Sequence, residues 1–259
     1  MEMQLPHRHF VQYMLQKGAV PQEQAVEYCK NLPGGSVRDL TQLRVLILTI
    51  NRHISAQFFK ISNVTCEVTN RDTLVWTNLK DDSIAKCAKT FKPIELEYFN
   101  VLLQQLANNE DHHLKYAASL NMTSTLTSAY SLSKGEAILS KWIEQGFFIL
   151  QDGLIYLGPR TIVEFGSSFK SHGYECCNLC SELVFIGKTC SACHRTLHSY
   201  CLLKYLANQD SCPCCKNPWA EHTSEDLFGT NHHDLRNVED AVMSDDSSGS
   251  PRASTSAQY

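Results

Sequence analysis

Cys177-Asn-Leu-Cys180, Cys190-Ser-Ala-Cys193, His198-Ser-Tyr-Cys201 and Cys212-Pro-Cys-Cys215 are four pairs of metal-directed side chains, each pair separated by two residues. That spacing lets one tight turn present two ligands to one ion. Eight ligands, seven cysteines and one histidine, make two tetrahedral sites. Nine of the 12 cysteines lie between Cys176 and Cys215, and the others are Cys29, Cys66 and Cys87. A segment of about 40 residues cannot bury enough apolar surface to fold unaided, whereas a structural zinc site contributes roughly 10–16 kcal/mol of apparent binding energy. Two Zn2+ ions therefore stand in for a core. The start of the chain, Met1-Glu-Met-Gln-Leu-Pro-His-Arg-His, lacks the basic and apolar regions of a secretory signal. The cysteines are accordingly read in a reducing compartment, where metal ligation outranks a disulfide cluster. Two sequential, unlinked zinc ribbons are the remaining alternative. The ten residues between Cys201 and Cys212 suit instead an interleaved cross-brace, with pairs one and three on one ion and pairs two and four on the other.

This pattern resembles the RING and PHD families. A histidine in fifth place occurs in both, so other residues must separate them. A PHD finger carries an aromatic residue two positions before its seventh ligand, and here that position is Asp210. RING domains that bind a ubiquitin-conjugating enzyme place an aliphatic residue inside the first ligand pair and a proline inside the last; this chain has Leu179 and Pro213. Leu202, Leu203, Tyr205 and Leu206 have helical spacing and predict the short helix beside the RING groove. Cys176, Cys214 and His194 compete with Cys177, Cys212 and His198, and the register that keeps the two-residue spacing in all four pairs is preferred. The residue after the last ligand, often a cation that bridges to ubiquitin in active RING domains, is Lys216. Its compact charge lacks the planar fork of arginine.

Upstream, Pro6 opens a helical pattern with Phe10, Tyr13 and Met14 on one face, stopping at Gly18, and Pro21 opens a second that ends before Leu32-Pro-Gly-Gly. Ser36 with Asp39 reads as a capping box for a longer helix from Leu40 to about Gln57. Phe58 to Val68 and Thr73 to Leu79 read as two strands joined by Thr69-Asn-Arg-Asp. Three helices and a hairpin make a winged helix. The order recurs: Pro93 starts a helix with Ile94, Tyr98, Leu102 and Leu106 on one face, and a weaker helical stretch begins near Leu114. Ser133-Lys-Gly-Glu136 reads as a capping box for a helix ending at Gly146, and an Asp152-Gly153 turn joins Phe147–Leu150 to Leu154–Leu157. A last amphipathic helix, Thr161 to about Ser168, reaches the zinc module with almost no linker. The expected fold is α+β: a winged helix over residues 1–90, a second over 91–170, a two-zinc RING-like domain over 171–220 and a disordered tail over 221–259.

No apolar run approaches the roughly 20 residues needed to cross a bilayer, so no membrane association is expected. A net charge of -4 and a pI near 6.2 give no global attraction to nucleic acid. The third helix of the first winged helix offers only Arg44 and Arg52 among aliphatics, and Lys134 and Lys141 are offset by Glu136 and Glu144. Any DNA contact is expected to be weak or indirect, through loop lysines Lys86, Lys89 and Lys92. Apolar helix faces suit protein docking better. Ser244 and Ser250 in the tail are candidate phosphate acceptors, and His232 and His233 read as polar tail. There is no Gly-rich phosphate loop, no carboxylate pair at catalytic spacing and no Cys/His pair that outranks metal binding.

Two winged helices followed at once by a RING-like module with histidine as fifth ligand is an unusual order. Together with Pro6-His-Arg-His-Phe-Val-Gln-Tyr-Met, it resembles the non-SMC element 1 family, subunits of the complex built on the fifth and sixth structural-maintenance-of-chromosomes (SMC) proteins. The resemblance covers nearly the whole chain apart from the tail. It implies a nuclear, chromosome-bound protein acting in DNA repair by homologous recombination. Its implied partners are a MAGE-type subunit (non-SMC element 3) on the winged helices, a kleisin-like subunit (non-SMC element 4) and the SMC 5-6 heterodimer. It also implies RING-type ubiquitin ligase activity stimulated by the MAGE partner. In that reading Leu179 and Pro213 touch the conjugating enzyme, Lys216 assists and no residue of the chain is a nucleophile. The competing expectation is a zinc-stabilised assembly subunit with little ligase activity.

Overall fold

Gly18 follows the first helix of the molecule and Gly146 the helix before its second hairpin, and both adopt positive φ, 73° and 75°. The computed structural model describes residues 3–32, 37–79 and 91–220, with Thr223 and Leu227. In the first half, α1 (Leu5–Lys17), β1 (Ala19–Pro21), α2 (Gln22–Lys30) and α3 (Leu40–Ile54) precede the hairpin β2 (Phe59–Thr65) and β3 (Asp72–Asn78). The second half repeats that order with α4 (Pro93–Asn108), β4 (His113–Lys115), α5 (Tyr116–Asn121), α6 (Leu132–Glu144), β5 (Phe148–Gln151) and β6 (Leu154–Leu157). Each half closes a three-stranded antiparallel sheet by adding its short early strand to the hairpin, in the orders β1-β3-β2 and β4-β6-β5.

Local chemistry accounts for these boundaries. Proline in the first turn of α1 and of α4 gives up an amide that a helix leaves unpaired in any case. The Asp39 carboxylate accepts from the Gln42 amide at 2.8 Å and caps α3. The cap is therefore Asp39 itself, and Ser36 lies outside the described residues. Ser131, two residues before the expected Ser133, caps α6 and accepts from the Lys134 amide. Leu114 belongs to β4, paired with Ile155, and the helix expected there starts at Tyr116. Pro21 ends β1 at the edge of its sheet, where its missing amide costs no ladder bond. The last helix of this region is split into α7 (Pro159–Glu164) and α8 (Gly166–Ser171). Asp152 and Gly153 both have positive φ, the two-residue turn that matches strand twist.

The cores are aromatic and aliphatic. Phe10, Met14, Leu43, Ile50, Ile61 and Leu74 fill the first. In the second, Phe99 sits among Trp142, Phe147, Phe148 and Phe165 with ring centroids 5.2–5.9 Å away. The halves meet where Gly18 and Ala19 lie against Gly146 and Arg160, whose guanidinium also stacks 4.2 Å over Phe147 and pairs with Glu164. No room exists at Gly18 for a side chain, since a β-carbon would strike Arg160 and the Gln145 carbonyl.

The C-terminal module has a two-stranded ribbon, β7 (Lys188–Thr189) and β8 (Thr196–Leu197), and one helix, α9 (Ser199–Leu206). Leu183 and Phe185, on the loop after the first ligand pair, are buried in the core of the second half. Phe185 packs edge-on against His112 and Phe169, and the Tyr174 hydroxyl donates to Asn108. The module is thus wedged into its neighbour rather than strung from it. Among the described residues no helix is long and apolar enough to cross a membrane. Lys86 and Lys89, the tail serines, and His232 and His233 fall outside the described residues.

Truncating Phe99 to alanine should cost about 3–5 kcal/mol of stability, and Asp39→Ala about 1 kcal/mol. Chemical denaturation of the metal-loaded chain checks both.

Candidate metal centre

Three of the four ligand pairs are built as the same backbone knuckle. The amide of Ser181 donates to the Cys177 carbonyl at 2.7 Å, that of His194 to Cys190 at 2.8 Å and that of Lys216 to Cys212 at 3.0 Å. In each turn the residue after the second cysteine takes left-handed backbone, with φ of 64°, 55° and 64°. The amide of the first cysteine in turn donates to the carbonyl of Glu182, Arg195 or Asn217, closing the loop. These turns aim two sulfurs and several backbone N–H groups at one point. The remaining pair uses a helix start instead: His198 precedes α9 and Cys201 lies in its first turn.

The chain then crosses over. Cys177, Cys180, His198 and Cys201 form one group and Cys190, Cys193, Cys212 and Cys215 the other, with all donor atoms of a group within 4.8 Å of one another. Pairs one and three share one site and pairs two and four share the other. In the four-cysteine group Cys190 and Cys215, and likewise Cys193 and Cys212, have their sulfurs 3.8 Å apart. A tetrahedron with metal–sulfur bonds of about 2.3 Å has edges of about 3.8 Å, whereas a disulfide requires about 2.05 Å. His198 Nδ1 lies 3.3 Å from Cys180 Sγ and 3.9 Å from Cys201 Sγ, bracketing the roughly 3.6 Å edge of a mixed sulfur–nitrogen tetrahedron. The donor set fits zinc.

Electrostatics agree with the geometry. The Cys193 amide stabilises the Cys190 thiolate and, against burial, brings it down to about 7. The Arg195 amide pulls Cys193 the same way, but burial and its thiol neighbours outweigh it and push Cys193 up to about 12. In the other group burial and the nearby sulfurs raise Cys201 as well. One thiolate forms readily in each crowd and the next is opposed by it. A dication removes that opposition, because coordinated thiols are held deprotonated.

Cys176, Cys214 and His194 stand outside both groups. Cys176 packs on the second-half core and pairs its backbone with Leu183. Cys214 lies partly buried between two ligands, and His194 occupies the left-handed position of its knuckle. Leu179 and Pro213, one inside the first knuckle and one inside the last, are partly exposed, and Lys216 is exposed.

One participant was invisible to spacing arguments. Glu67, in the loop between β2 and β3, puts Oε1 2.9 Å from His198 Nε2, while its Oε2 accepts from the amides of Phe185 at 3.1 Å and Ile186 at 2.7 Å. Its side chain is 5% exposed and that of His198 is 1% exposed.

Elemental analysis of the purified chain should find two zinc ions per molecule, and Cys193→Ser should retain one of them, since it damages only the four-cysteine group.

A family model described as the Nse1 non-SMC component of the SMC5-6 complex matches residues 7–127, and a RING-like domain model matches residues 177–216. The non-structural maintenance of chromosomes element 1 homolog of Drosophila melanogaster is 33% identical over 184 residues, covering 68% of this chain and 77% of that protein. The human homolog is 24% identical, with 82% and 83% covered, and the Schizosaccharomyces pombe protein 25%, with 84% and 93% covered. A chain from the solved structure of an Nse1-Nse3-Nse4 complex shares the fold, with a TM-score of 0.67 at 20% identity over 86% of this chain and all of its own. With 33% identity to the fly protein across more than two thirds of both sequences, a family match through the first half and a RING-like match on the crossed ligand groups, the chain belongs to the Nse1 family, the non-SMC components of the SMC5-6 complex.

Proposed function

We propose that the chain is a RING-type ubiquitin ligase subunit of the SMC 5-6 complex, holding two Zn2+ ions and a ubiquitin-charged conjugating enzyme. The observation that carries the reading is the interleaving of the two ligand groups, which fixes the first and last knuckles relative to each other and with them Leu179 and Pro213. Cys177, Cys180, His198 and Cys201 hold one zinc ion and Cys190, Cys193, Cys212 and Cys215 the other. The ions supply fixed corners for the loops and take no part in ubiquitin chemistry.

Leu179 and Pro213 form the apolar contact with the conjugating enzyme. Lys216 follows the last ligand and is exposed, and its ammonium assists by bridging to the bound ubiquitin. The chain contributes no nucleophile: it orients a thioester toward a substrate lysine, and holding two reactants in line converts a bimolecular attack into an effectively unimolecular one.

We read the two halves as tandem winged helices, from the helix–strand–helix–helix–hairpin order that both share. They dock a MAGE-type subunit, non-SMC element 3, and through it a kleisin-like non-SMC element 4 and the SMC heterodimer, on chromosomes in the nucleus during repair by homologous recombination. Two things support this: the likeness of the fold to a chain solved within an Nse1-Nse3-Nse4 complex, and the outer face of α3, where Leu40, Val45 and Leu48 are 42–59% exposed. An apolar face of that kind suits a protein partner better than phosphates.

A second reading is an assembly subunit whose zinc module serves to join the halves. The burial of Leu183 and Phe185 in the second core favours it, as does Lys216 in place of an arginine.

An in vitro ubiquitination assay with the non-SMC element 3 partner and a panel of conjugating enzymes decides between them. The ligase reading predicts ubiquitin chains that the double variant Leu179→Glu/Pro213→Glu reduces by roughly 30-fold, the loss of a buried anchor worth about 2 kcal/mol, with both zinc ions retained. No chains with any conjugating enzyme would favour the assembly reading.

A further inference from the structure

His198 is held on every side. Tyr200 stacks on its ring with centroids 4.7 Å apart and planes 15° from parallel. Its Nε2 faces two acceptors, the Leu183 carbonyl at 2.8 Å and Glu67 Oε1 at 2.9 Å. A ring nitrogen between two acceptors carries the proton, which leaves the Nδ1 lone pair pointing at the sulfurs of Cys180 and Cys201. The tautomer a metal ligand needs is therefore set jointly, by the Leu183 carbonyl within the RING-like module and by a carboxylate 131 residues earlier in the chain.

The Glu67 carboxylate has no slack. Both oxygens are engaged, one on His198 and one on two consecutive amides, in a nearly dry site. Those amides, of Phe185 and Ile186, belong to the loop that also supplies Leu183 and Phe185 to the second core. The loop carrying Glu67 is itself pinned: the Cys66 amide donates to Arg71, the Asn70 amide to Cys66, and Asn70 takes φ of 52°. One side chain thus joins the first half to the zinc module at the edge of one metal group, and does so on the loop that reaches the second core.

We propose that Glu67 is the outer carboxylate of the His198 metal site, a positioning residue that fixes the imidazole for ligation and makes metal loading and docking of the β2–β3 loop a single event. This rests on the zinc reading above. A carboxylate accepting from the far nitrogen of a ligating histidine orients the ring and raises its basicity, and losing such a partner typically costs 10- to 100-fold in metal affinity. By reciprocity, an empty site loosens the loop's hold on the zinc module. The four-cysteine group has no such partner from the first half among its described contacts.

The test uses the full chain loaded with cadmium-113, whose two sites give separate resonances because one has a nitrogen ligand and the other does not. Under chelator competition, Glu67→Gln, which keeps an oxygen for the Phe185 and Ile186 amides, should weaken the nitrogen-containing site by roughly 10- to 100-fold and leave the four-sulfur site within about twofold. Unchanged affinity at the nitrogen-containing site, or equal loss at both, overturns the proposal. If the variant does not fold, nitrogen-15 spectra of wild-type His198 decide independently: metal on Nδ1 with a slowly exchanging proton on Nε2 supports the proposal, and metal on Nε2 overturns it. A wild-type chain that takes up no metal overturns the zinc reading itself, an outcome distinct from a loaded chain with the wrong nitrogen ligated.

Discussion

Thiols crowded to tetrahedral spacing need a cation, and the rest of this structure is arranged around that need. Four sulfurs, or three and an imidazole, held within 4.8 Å repel one another once the first has ionised. A dication turns that repulsion into bonds worth roughly 10–16 kcal/mol per site, more than the few apolar side chains of a 40-residue segment could supply. Because the chain places pairs one and three on one site and two and four on the other, neither half of the module can be satisfied without the other. The loops between the pairs inherit fixed positions, and the surface they present gains rigidity.

That rigidity does not stop at the module. The loop after the first knuckle sends Leu183 and Phe185 into a core shared with Phe165 and Phe169, while its amides and His198 converge on Glu67. Apolar burial holds the module to the second half and a dry, fully used carboxylate holds it to the first. The pairing is sound in physical terms, since a buried carboxylate is tolerable only when its acceptor capacity is filled. The halves themselves meet through close backbone approach at Gly18 and Gly146. The three parts are thus joined by apolar burial, one carboxylate and close backbone contact.

The legible parts were those governed by local chemistry. Cysteine spacing announced the knuckles because a two-residue gap is what a tight turn can span, and Pro6, Gly18, Pro93, Gly146 and Asp152-Gly153 marked element ends for steric reasons that do not depend on the rest of the fold. Misreadings arose where two local signals overlapped or were short. Ser131 and Ser133 both stand near the start of a helical pattern with a polar residue three positions on, and only the structure shows which amide, that of Lys134, needs an acceptor. Leu114 lies in a three-residue strand completed by pairing with β6, and β1 likewise exists only through β3. Too few residues are involved for any periodicity to register. Glu67 was illegible for a deeper reason: an isolated glutamate in a hairpin loop carries no pattern, and its role is defined by a histidine in another part of the fold.

The crossed sharing of ligands is central, since the fixed relation between Leu179 and Pro213 follows from it. Through-bond correlation of cadmium-113 with the cysteine β-protons in the doubly loaded chain tests it most directly. Crossed sharing predicts one ion coupled to Cys177, Cys180 and Cys201 and the other to Cys190, Cys193, Cys212 and Cys215. An ion coupled to Cys177, Cys180, Cys190 and Cys193 together would mean two sequential zinc ribbons and would contradict it.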